Sequence, residues 1–153
     1  MKSSFHKNAH RSLDSKGRLM LPPEYRDIIS AASNSGGFML AIHGKCIVAC
    51  PMPEWELLKG QLEQLRNTNQ ELRDFRSLMA GRSEELELDP QGRVRISQSL
   101  MRYAGLSKDV VLVGLGDKFE IWDRQRFESL ELDDAARDRV VQELAQRGID
   151  FPL

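Results

Sequence analysis

One stretch of sequence occurs twice in this chain, as Leu13-Asp14-Ser15-Lys16-Gly17-Arg18-Leu19-Met20-Leu21 and, 75 residues later, as Leu88-Asp89-Pro90-Gln91-Gly92-Arg93-Val94-Arg95-Ile96. The two copies share Leu, Asp, Gly and Arg, and two further positions stay apolar. A second pair of segments, 45–51 and 117–123, aligns in the same order with an offset of 72, because the loop at Ser30–Gly37 is longer than its counterpart. Two ordered matches indicate a duplicated unit of about 45 residues.

Each unit has the same predicted order of elements, β-β-α-β-β, which makes the fold class α+β. A strand enters the Asp-x-x-Gly-Arg turn, glycine supplies the positive φ of a tight hairpin, and a second strand leaves it. The helices are predicted at Pro23–Ile29 and Gln98–Ala104, and the later strands at Phe38–Ile42, Cys46–Cys50, Val110–Val113 and Phe119–Trp122. Four short strands and one helix cannot bury both faces of a sheet, so each unit needs the other as its partner.

Three further helices are predicted outside the duplicated units. Glu54–Arg66 and Gln70–Ala80 carry apolar residues on one face, and a third helix spans Asp133–Arg147. The first two form a spacer that we expect to pack on the β units or on a neighbouring subunit. The predicted organisation is a first unit at 8–55, a helical spacer at 56–83, a second unit at 84–127, and a C-terminal helix and tail at 128–153.

The composition is that of a globular protein with a packed core. Apolar residues make up 41% and charged residues 29% of the 153 positions. No run approaches the roughly 18 apolar residues of a membrane helix and no signal peptide is visible, so we expect a cytoplasmic protein without a membrane partner. Cys46 and Cys50 would lie about 13 Å apart along a strand, too far for a disulfide, and their spacing does not match a zinc site.

Positive charge is concentrated at the beginning of the chain. The net charge is −1, but residues 1–26 carry six cations against two anions, for a net charge of +4. A basic cluster of this kind is typical either of a solvated segment or of a surface that meets phosphate, and the planar fork of arginine suits phosphate and guanine alike. We predict that the nucleic-acid-binding residues are Arg18, Lys16, Arg11 and Lys7.

The second turn lies in a different electrostatic setting. Gln91 stands where the first turn has Lys16, and the strand before it is acidic, with Glu84, Glu85 and Glu87. We therefore expect the first turn to meet DNA and the second to be structural. The structural turn motif comprises Asp14, Gly17, Asp89, Gly92 and Arg93, in which each aspartate accepts backbone N–H groups of its own turn. An alternative stays open for Arg18 as well as Arg93: both pair with the turn aspartates and only hold the turns together.

The two turn aspartates also suggest an enzyme. One carboxylate from each half of a duplicated β protein resembles the dyad of an aspartic protease, whose two acids share a proton. The glycine follows Asp14 and Asp89 by three residues instead of two, and Pro90 replaces the hydroxyl residue of that motif. The sequence therefore favours a structural role for this pair.

Other catalytic and ligand-binding patterns are incomplete. A Ser15, His10 and Asp14 set lacks the Gly-x-Ser-x-Gly elbow of a hydrolase. The three histidines, His6, His10 and His43, lack the spacing of a metal site, and Gly114-Leu115-Gly116 lacks the third glycine of a dinucleotide motif. We predict no catalytic residue, metal, cofactor or small-molecule substrate.

Taken together, the motifs resemble those of the MraZ family. They are Leu-Asp-Ser-Lys-Gly-Arg-Leu-x-x-Pro within His10–Tyr25, Pro51-x-Pro-Glu-Trp55 at the entry to the spacer, the second Asp-x-x-Gly-Arg, and Lys118-Phe119-Glu120-Ile121-Trp122. They follow one another in the family's order from about residue 8 to residue 127. The beginning departs from the family, because Met1–Lys7 is longer and more polar than the usual leader.

The resemblance implies a fold, a function and a partner. The fold is a duplicated swapped-hairpin β-barrel of two modules of the AbrB and SpoVT type, assembled as a ring-shaped homo-oligomer. The function is that of a nucleoid-associated repressor, which binds short direct repeats in the promoter of the division and cell-wall gene cluster that includes its own gene. The first Asp-x-x-x-Arg loop contacts the DNA, which places Arg18 and Lys16 there.

A second hypothesis stays open from the residues themselves. The chain outside residues 1–26 carries a net charge of −5, which is unfavourable for a surface that binds nucleic acid. An oligomeric scaffold that binds its partners through the amphipathic helices at 54–80 would need no basic face.

Overall fold

The computed structural model describes residues 4–32 and 37–150, and within those ranges the chain forms eight strands and six helices. The first unit comprises β1 (Asn8–Ser12), β2 (Arg18–Met20), α1 (Pro23–Ala32), β3 (Gly37–His43) and β4 (Cys46–Pro51). The spacer helices are α2 (Met52–Glu63) and α3 (Gln70–Gly81). The second unit and the last helices are β5 (Glu84–Glu87), β6 (Arg93–Arg95), α4 (Gln98–Ala104), β7 (Asp109–Gly114), β8 (Phe119–Asp123), α5 (Arg124–Glu128) and α6 (Asp134–Gln146).

The predicted order of elements is confirmed in both units, but two helix bounds were wrong. α1 continues to Ala32, so residues 30–32 of the predicted loop are helical, while 33–36 lie outside the described residues. α2 begins at Met52 and ends at Glu63, earlier at both ends than predicted. A proline occupies its first turn, where the fixed φ and the missing N–H are both compatible with a helix.

Strand pairing crosses between the two units. β1 pairs with β7, β2 with β6 and β3 with β5, all antiparallel. The predicted hairpin ladder between β1 and β2 was therefore wrong, although the turn between them keeps hairpin-type hydrogen bonds from Asp14 N to Arg18 O and from Gly17 N to Asp14 O, both 3.0 Å long. The turn motif determines where the chain reverses, whereas the ladder partner depends on which strand offers a matching apolar face.

The exchanged strands form one large antiparallel sheet and a small ribbon. The six-stranded sheet has the order β1-β7-β8-β4-β3-β5, and β2 pairs with β6 as a separate two-stranded ribbon. Each unit supplies three strands to the sheet and one to the ribbon, and β4 joins the two units by pairing with β8. Neither unit has a complete sheet of its own, as the small size of the duplicated unit predicted.

A single core draws residues from both units. The largest fully buried side chains are Phe5, Phe38, Phe119, Leu19, Leu21, Ile29, Leu40, Ile47, Ile96, Leu100, Leu112 and Ile121. The ring centroid of Phe119 lies 5.0 Å from that of Phe5 and 4.8 Å from that of Tyr25. Phe5 precedes the first predicted strand, yet its N–H donates to Gly116 O at 2.6 Å and its carbonyl accepts from Gly116 N at 3.0 Å. These bonds carry an aromatic side chain from the N-terminal segment into the shared core.

Two further features of the described residues concern the cysteines and the length of the helices. Cys46 and Cys50 are free thiols, as their spacing predicted. In the described ranges, 4–32 and 37–150, no helix has the length and apolar character needed to cross a bilayer.

Candidate nucleic-acid interface

The two Asp-x-x-Gly-Arg turns have the same hydrogen bonds. The Asp14 carboxylate accepts from Lys16 N at 2.9 Å, Arg18 N at 2.8 Å and Arg18 Nε at 2.6 Å. In the second turn, Asp89 accepts from Gln91 N at 2.9 Å, Arg93 N at 2.8 Å and Arg93 Nε at 2.9 Å. The pairing of each turn arginine with its aspartate, one of the alternatives raised by the sequence, is therefore present in both copies.

The same contacts argue against the aspartic-protease hypothesis. The backbone N–H of Arg18, helped by its guanidinium and by Lys16 N, lowers the pKa of Asp14 to about 2, and equivalent bonds lower the pKa of Asp89. A proton-sharing dyad needs one raised pKa. Asp14 and Asp89 also flank opposite edges of the β2–β6 ribbon, with three strand spacings or roughly 14 Å between them.

Glycine at the first turn is required by a close approach of two backbones. Gly17 has a φ of +74°, and a Cβ at this position would lie 2.9 Å from the carbonyl oxygen of Ile96 in the other unit. Gly17 O also accepts from Ile96 N at 2.9 Å, which ties the turn to the strand that leaves the second turn. The turn is thereby fixed to the end of the ribbon.

We predict that Gly17→Ala destabilises the protein more than Gly44→Ala, the matched control. Gly44 has a φ of +62° but open space around it, so alanine there costs only the left-handed backbone penalty of about 1–2 kcal/mol. At Gly17 the contact with Ile96 O should add about 1–3 kcal/mol, because the ribbon must shift. Urea titration at one protein concentration measures both losses in the free energy of unfolding. Equal losses would show that the approach to Ile96 O imposes no constraint.

The ribbon places arginines on one face and apolar side chains on the other. Leu19 and Val94 are opposite each other and buried, so their neighbours along each strand point outward. The outward residues are Arg18, Met20, Arg93 and Arg95. Arg18 is directly opposite Arg95, and like charges at such a position oppose strand pairing. Binding of an anion to this face would relieve the repulsion between the two arginines, so the face is suited to anion binding.

The other predicted binding residues lie around this face or along β1. Lys16 is exposed at the first turn. Arg11 donates through Nε to Met20 O at 3.2 Å, which holds its guanidinium beside the ribbon. Lys7 precedes β1 with a φ of +68°, and its carbonyl accepts from the Tyr25 hydroxyl at 2.8 Å. The structure therefore brings Lys16 and Arg11 to the ribbon, whereas Lys7 lies about 13 Å from Arg11 along the chain direction of β1.

Sequence reasoning missed two arginines near the ribbon. Arg95 follows from the alternation Arg93-Val94-Arg95, because residues two apart in a strand share a face. Arg26 extends from α1 across the second turn, where its Cδ and Nη1 occupy the space that a Cβ at Gly92 would need. Its Nε is buried and has no hydrogen-bond partner among the described residues. The second turn thus receives a cation from the first unit, which no local sequence pattern indicates.

The described residues offer little for catalysis. The Asp14 carboxylate of the Ser15, His10 and Asp14 set is already occupied by the donors of its own turn. Burial above all, then Glu120, raises the pKa of Cys46 to about 12, so this thiol is protonated at neutral pH and is a poor nucleophile. Across residues 4–32 and 37–150, no group of three or more His, Cys, Asp or Glu side chains is placed to hold a metal ion.

Known proteins match the chain over almost its whole length. The family model of the MraZ protein, described as antitoxin-like, matches twice, at residues 5–78 and 79–148. The transcriptional regulator MraZ of Nitratidesulfovibrio vulgaris (strain Hildenborough) is 50% identical over 147 residues, which cover 96% of this chain and 97% of the relative. The proteins of that name from Oleidesulfovibrio alaskensis and Nitrosomonas europaea are 44% and 37% identical over 98% and 86% of this chain and 99% and 88% of the relatives.

The names of the relatives indicate the class of protein, and the family model and the sequence identities indicate the family. All three relatives are named as transcriptional regulators, and none of them is named as an enzyme. The double match agrees with a regulator built from a duplicated unit. The chain belongs to the MraZ family, as the sequence motifs predicted.

Proposed function

We propose that this protein is a sequence-specific, DNA-binding repressor of transcription that acts in the nucleoid as a ring-shaped homo-oligomer. Its targets are short direct repeats in the promoter of the division and cell-wall gene cluster, including its own gene. The observation that carries this proposal is the outward face of the β2–β6 ribbon, where Arg18, Arg93 and Arg95 project from an apolar base. No enzymatic step and no cofactor is part of the proposal.

The ribbon has the dimensions and the donors for major-groove recognition. A two-stranded ribbon fits the groove, which is about 12 Å wide, and arginine bonds in a bidentate manner to O6 and N7 of guanine. Asp14 engages Arg18 through Nε, and no described residue bonds to the Nη atoms. Asp14 therefore orients the guanidinium while its outer edge stays available for a base. The ion pair and DNA binding are compatible roles for Arg18.

The remaining cations position the ribbon. Lys16 and Arg11 lie beside it, and Lys7 extends the basic surface along β1; their role is to contact phosphates. The structural residues Asp14, Gly17, Asp89, Gly92 and Arg93 hold both turns in the same conformation. The half-buried Arg93 points outward from the ribbon, and this position also suits a phosphate contact.

Self-association compensates for the low net charge. A subunit of net charge −1 that contacts two or three phosphates binds weakly, because affinity depends on the number of phosphates neutralised. Several subunits on repeated sites raise the overall affinity by about 10²–10⁴, since later contacts become intramolecular. Direct repeats in the operator suit an assembly of identical subunits.

The proposed modules follow the predicted boundaries. Residues 8–55 and 84–127 form two AbrB/SpoVT-type modules, joined by the spacer at 56–83 and followed by the C-terminal helix and tail at 128–153. The pairing of β1 with β7, β5 with β3 and β2 with β6 supports a swapped-hairpin arrangement inside one chain.

The direct test is binding of the purified protein to the DNA upstream of its own gene, at two salt concentrations. We expect a complex with repeat-bearing DNA and none with a scrambled sequence of equal length. Doubling the salt concentration should weaken binding by about tenfold or more, because log K falls with a slope of about −0.9 per phosphate contact and the assembly makes several. Equal binding to scrambled DNA, or binding insensitive to salt, would contradict the proposal.

A second candidate function, an oligomeric scaffold, is favoured by exposed apolar residues on the spacer helices. These side chains are Leu57, Leu58, Phe75 and Leu78. A surface of this kind binds protein instead of DNA. Absence of any promoter complex would favour this function over repression.

A further inference from the structure

Two apolar surfaces have no partner among the residues that the structure describes, 4–32 and 37–150. The first is a groove between the spacer helices and the outer side of β3 and β4, with a volume of about 400 Å³. The second is the C-terminal helix α6 with its preceding segment, where Leu130, Leu132 and Val140 are exposed. Soluble monomers rarely expose contiguous apolar surfaces of this kind, and such surfaces usually mark interaction sites.

The groove has the shape and chemistry of a receptor for a helix. Ala41 and Val48, which are opposite each other in β3 and β4, form its floor on the sheet, and Trp55, Leu58, Phe75 and Met79 form its walls on α2 and α3. Phe75 is 46% exposed and α3 has no buried residue. No residue of α6 lines the groove, so α6 does not fill it within the same chain. An amphipathic helix is the usual occupant of an apolar groove between helices.

α6 is a helix that needs a surface to pack on. Its 13 residues follow the N-cap Asp133, whose carboxylate accepts from Ala136 N at 2.7 Å, and none of the 13 is buried. Isolated helices shorter than about 12–15 residues are marginally stable in water. Val140, Val141 and Leu144 lie on one face, and Val140 is 41% exposed. This face is the part of α6 that a partner would cover.

The two surfaces are also complementary in charge. Arg137 shares the face of Val140 and Leu144, and no described residue pairs with it. Glu54 and Asp117 line the groove. Lys118 also lines the groove and pairs with Asp117 at 3.4 Å, so two carboxylates are balanced by one lysine and the lining keeps an excess of one negative charge. A helix with a cation at the edge of its apolar stripe fits this lining.

We propose that α6 of one subunit docks in the groove of a second copy of this chain, with Val140 and Leu144 against Phe75 and Leu58 and with Arg137 towards Asp117. The inference rests on the self-association proposed above and specifies the surfaces that produce it. Because the donor helix and the acceptor groove are different surfaces, each subunit donates to one neighbour and accepts from another. Contacts of this heterologous kind close into a ring when the rotation between subunits allows it.

The test compares the masses of full-length variants in solution, without DNA, by light scattering after gel filtration. Val140→Asp damages the helix face, and Phe75→Asp damages the groove. Gln142→Asp, on the opposite side of α6, is the matched control. We expect the wild type and Gln142→Asp to contain several chains, and Val140→Asp and Phe75→Asp each to elute as a single chain. All three replaced side chains lie on helix surfaces, and circular dichroism verifies that the variants are folded.

Mixing the two defective variants gives the sharper result. The intact helix of Phe75→Asp should dock in the intact groove of Val140→Asp, so the mixture should form a pair of chains that cannot grow further. Arg137→Glu should weaken assembly about tenfold, and adding Asp117→Lys should restore part of the loss. A single-chain wild type, wild-type mass in both damaged variants, or a mixture that stays monomeric would each overturn the proposal.

This outcome is independent of the regulatory function. If the damaged variants keep the wild-type mass while the wild type binds promoter DNA, the docking proposal fails and repression stands. If the masses behave as expected but no promoter complex forms, the docking proposal stands and repression fails.

Discussion

Replacing Arg18 with alanine should abolish detectable promoter binding while leaving the oligomer intact. Its outer guanidinium edge is the part that we assign to a guanine, and a bidentate contact of this kind contributes about 1–3 kcal/mol of discrimination. Every subunit of the assembly loses this contact, so the losses in DNA-binding free energy accumulate. The affinity should therefore fall by more than a hundredfold, or about 2.7 kcal/mol. A gel shift against the upstream DNA, together with the mass in solution, measures both parts of this expectation.

Matched variants separate the possible roles of Arg18. Arg18→Lys keeps the charge but loses the planar fork, so it should retain phosphate-type binding and lose the preference for the specific sequence. Arg93→Ala should reduce affinity less than Arg18→Ala does. Arg124→Ala, which removes an exposed cation of α5 that is paired with Glu128 and is not part of the ribbon, should bind as the wild type does. Equal binding by Arg18→Ala and the wild type would refute the assignment of this residue to DNA.

Replacing Phe119 with alanine should lower the free energy of unfolding by about 3–5 kcal/mol, the range for a buried phenylalanine. The ring is fully buried between Phe5 and Tyr25, so its removal leaves a cavity at the point where the N-terminal segment, α1 and β8 meet. A loss of this size is a large part of the typical stability of a domain, about 5–15 kcal/mol. Urea titration at a fixed protein concentration gives the value.

The control for Phe119 is Phe127→Ala on α5. Phe127 is half-buried and its ring lies 5.8 Å from that of Trp122, so a smaller loss, about 1–2 kcal/mol, is expected from the smaller apolar area that it covers. Fixed concentration matters because dissociation of an oligomer would otherwise add to the apparent loss. Similar losses in both variants would mean that the aromatic cluster around Phe119 does not anchor the N-terminal segment.

Local chemistry was sufficient to predict the two turns and the order of strands and helices within each unit. The repeated Asp-x-x-Gly-Arg turn, with its positive-φ glycine and its acceptor aspartate, is encoded by neighbouring residues, and both turns have the expected backbone hydrogen bonds. The helix Gln98–Ala104 follows from a Ser97 cap and a Gly105 end, signals that lie within a few residues of each other. The family, likewise, could be recognised from the order and spacing of the motifs.

The sequence by itself determined the duplication, the order of strands and helices, the turns and the basic character of the first one. Only the tertiary structure decided that β2 pairs with β6 rather than with β1, and therefore that Arg18 stands opposite Arg95 and that Arg26 lies across the second turn. The reason is that a turn or a helix depends on residues close in the chain, whereas strand pairing depends on competition among several edges with similar apolar patterns. That competition is resolved only when the whole core is assembled. The resulting pairing of β2 with β6 brings arginines from two segments, 75 residues apart in the sequence, onto one face.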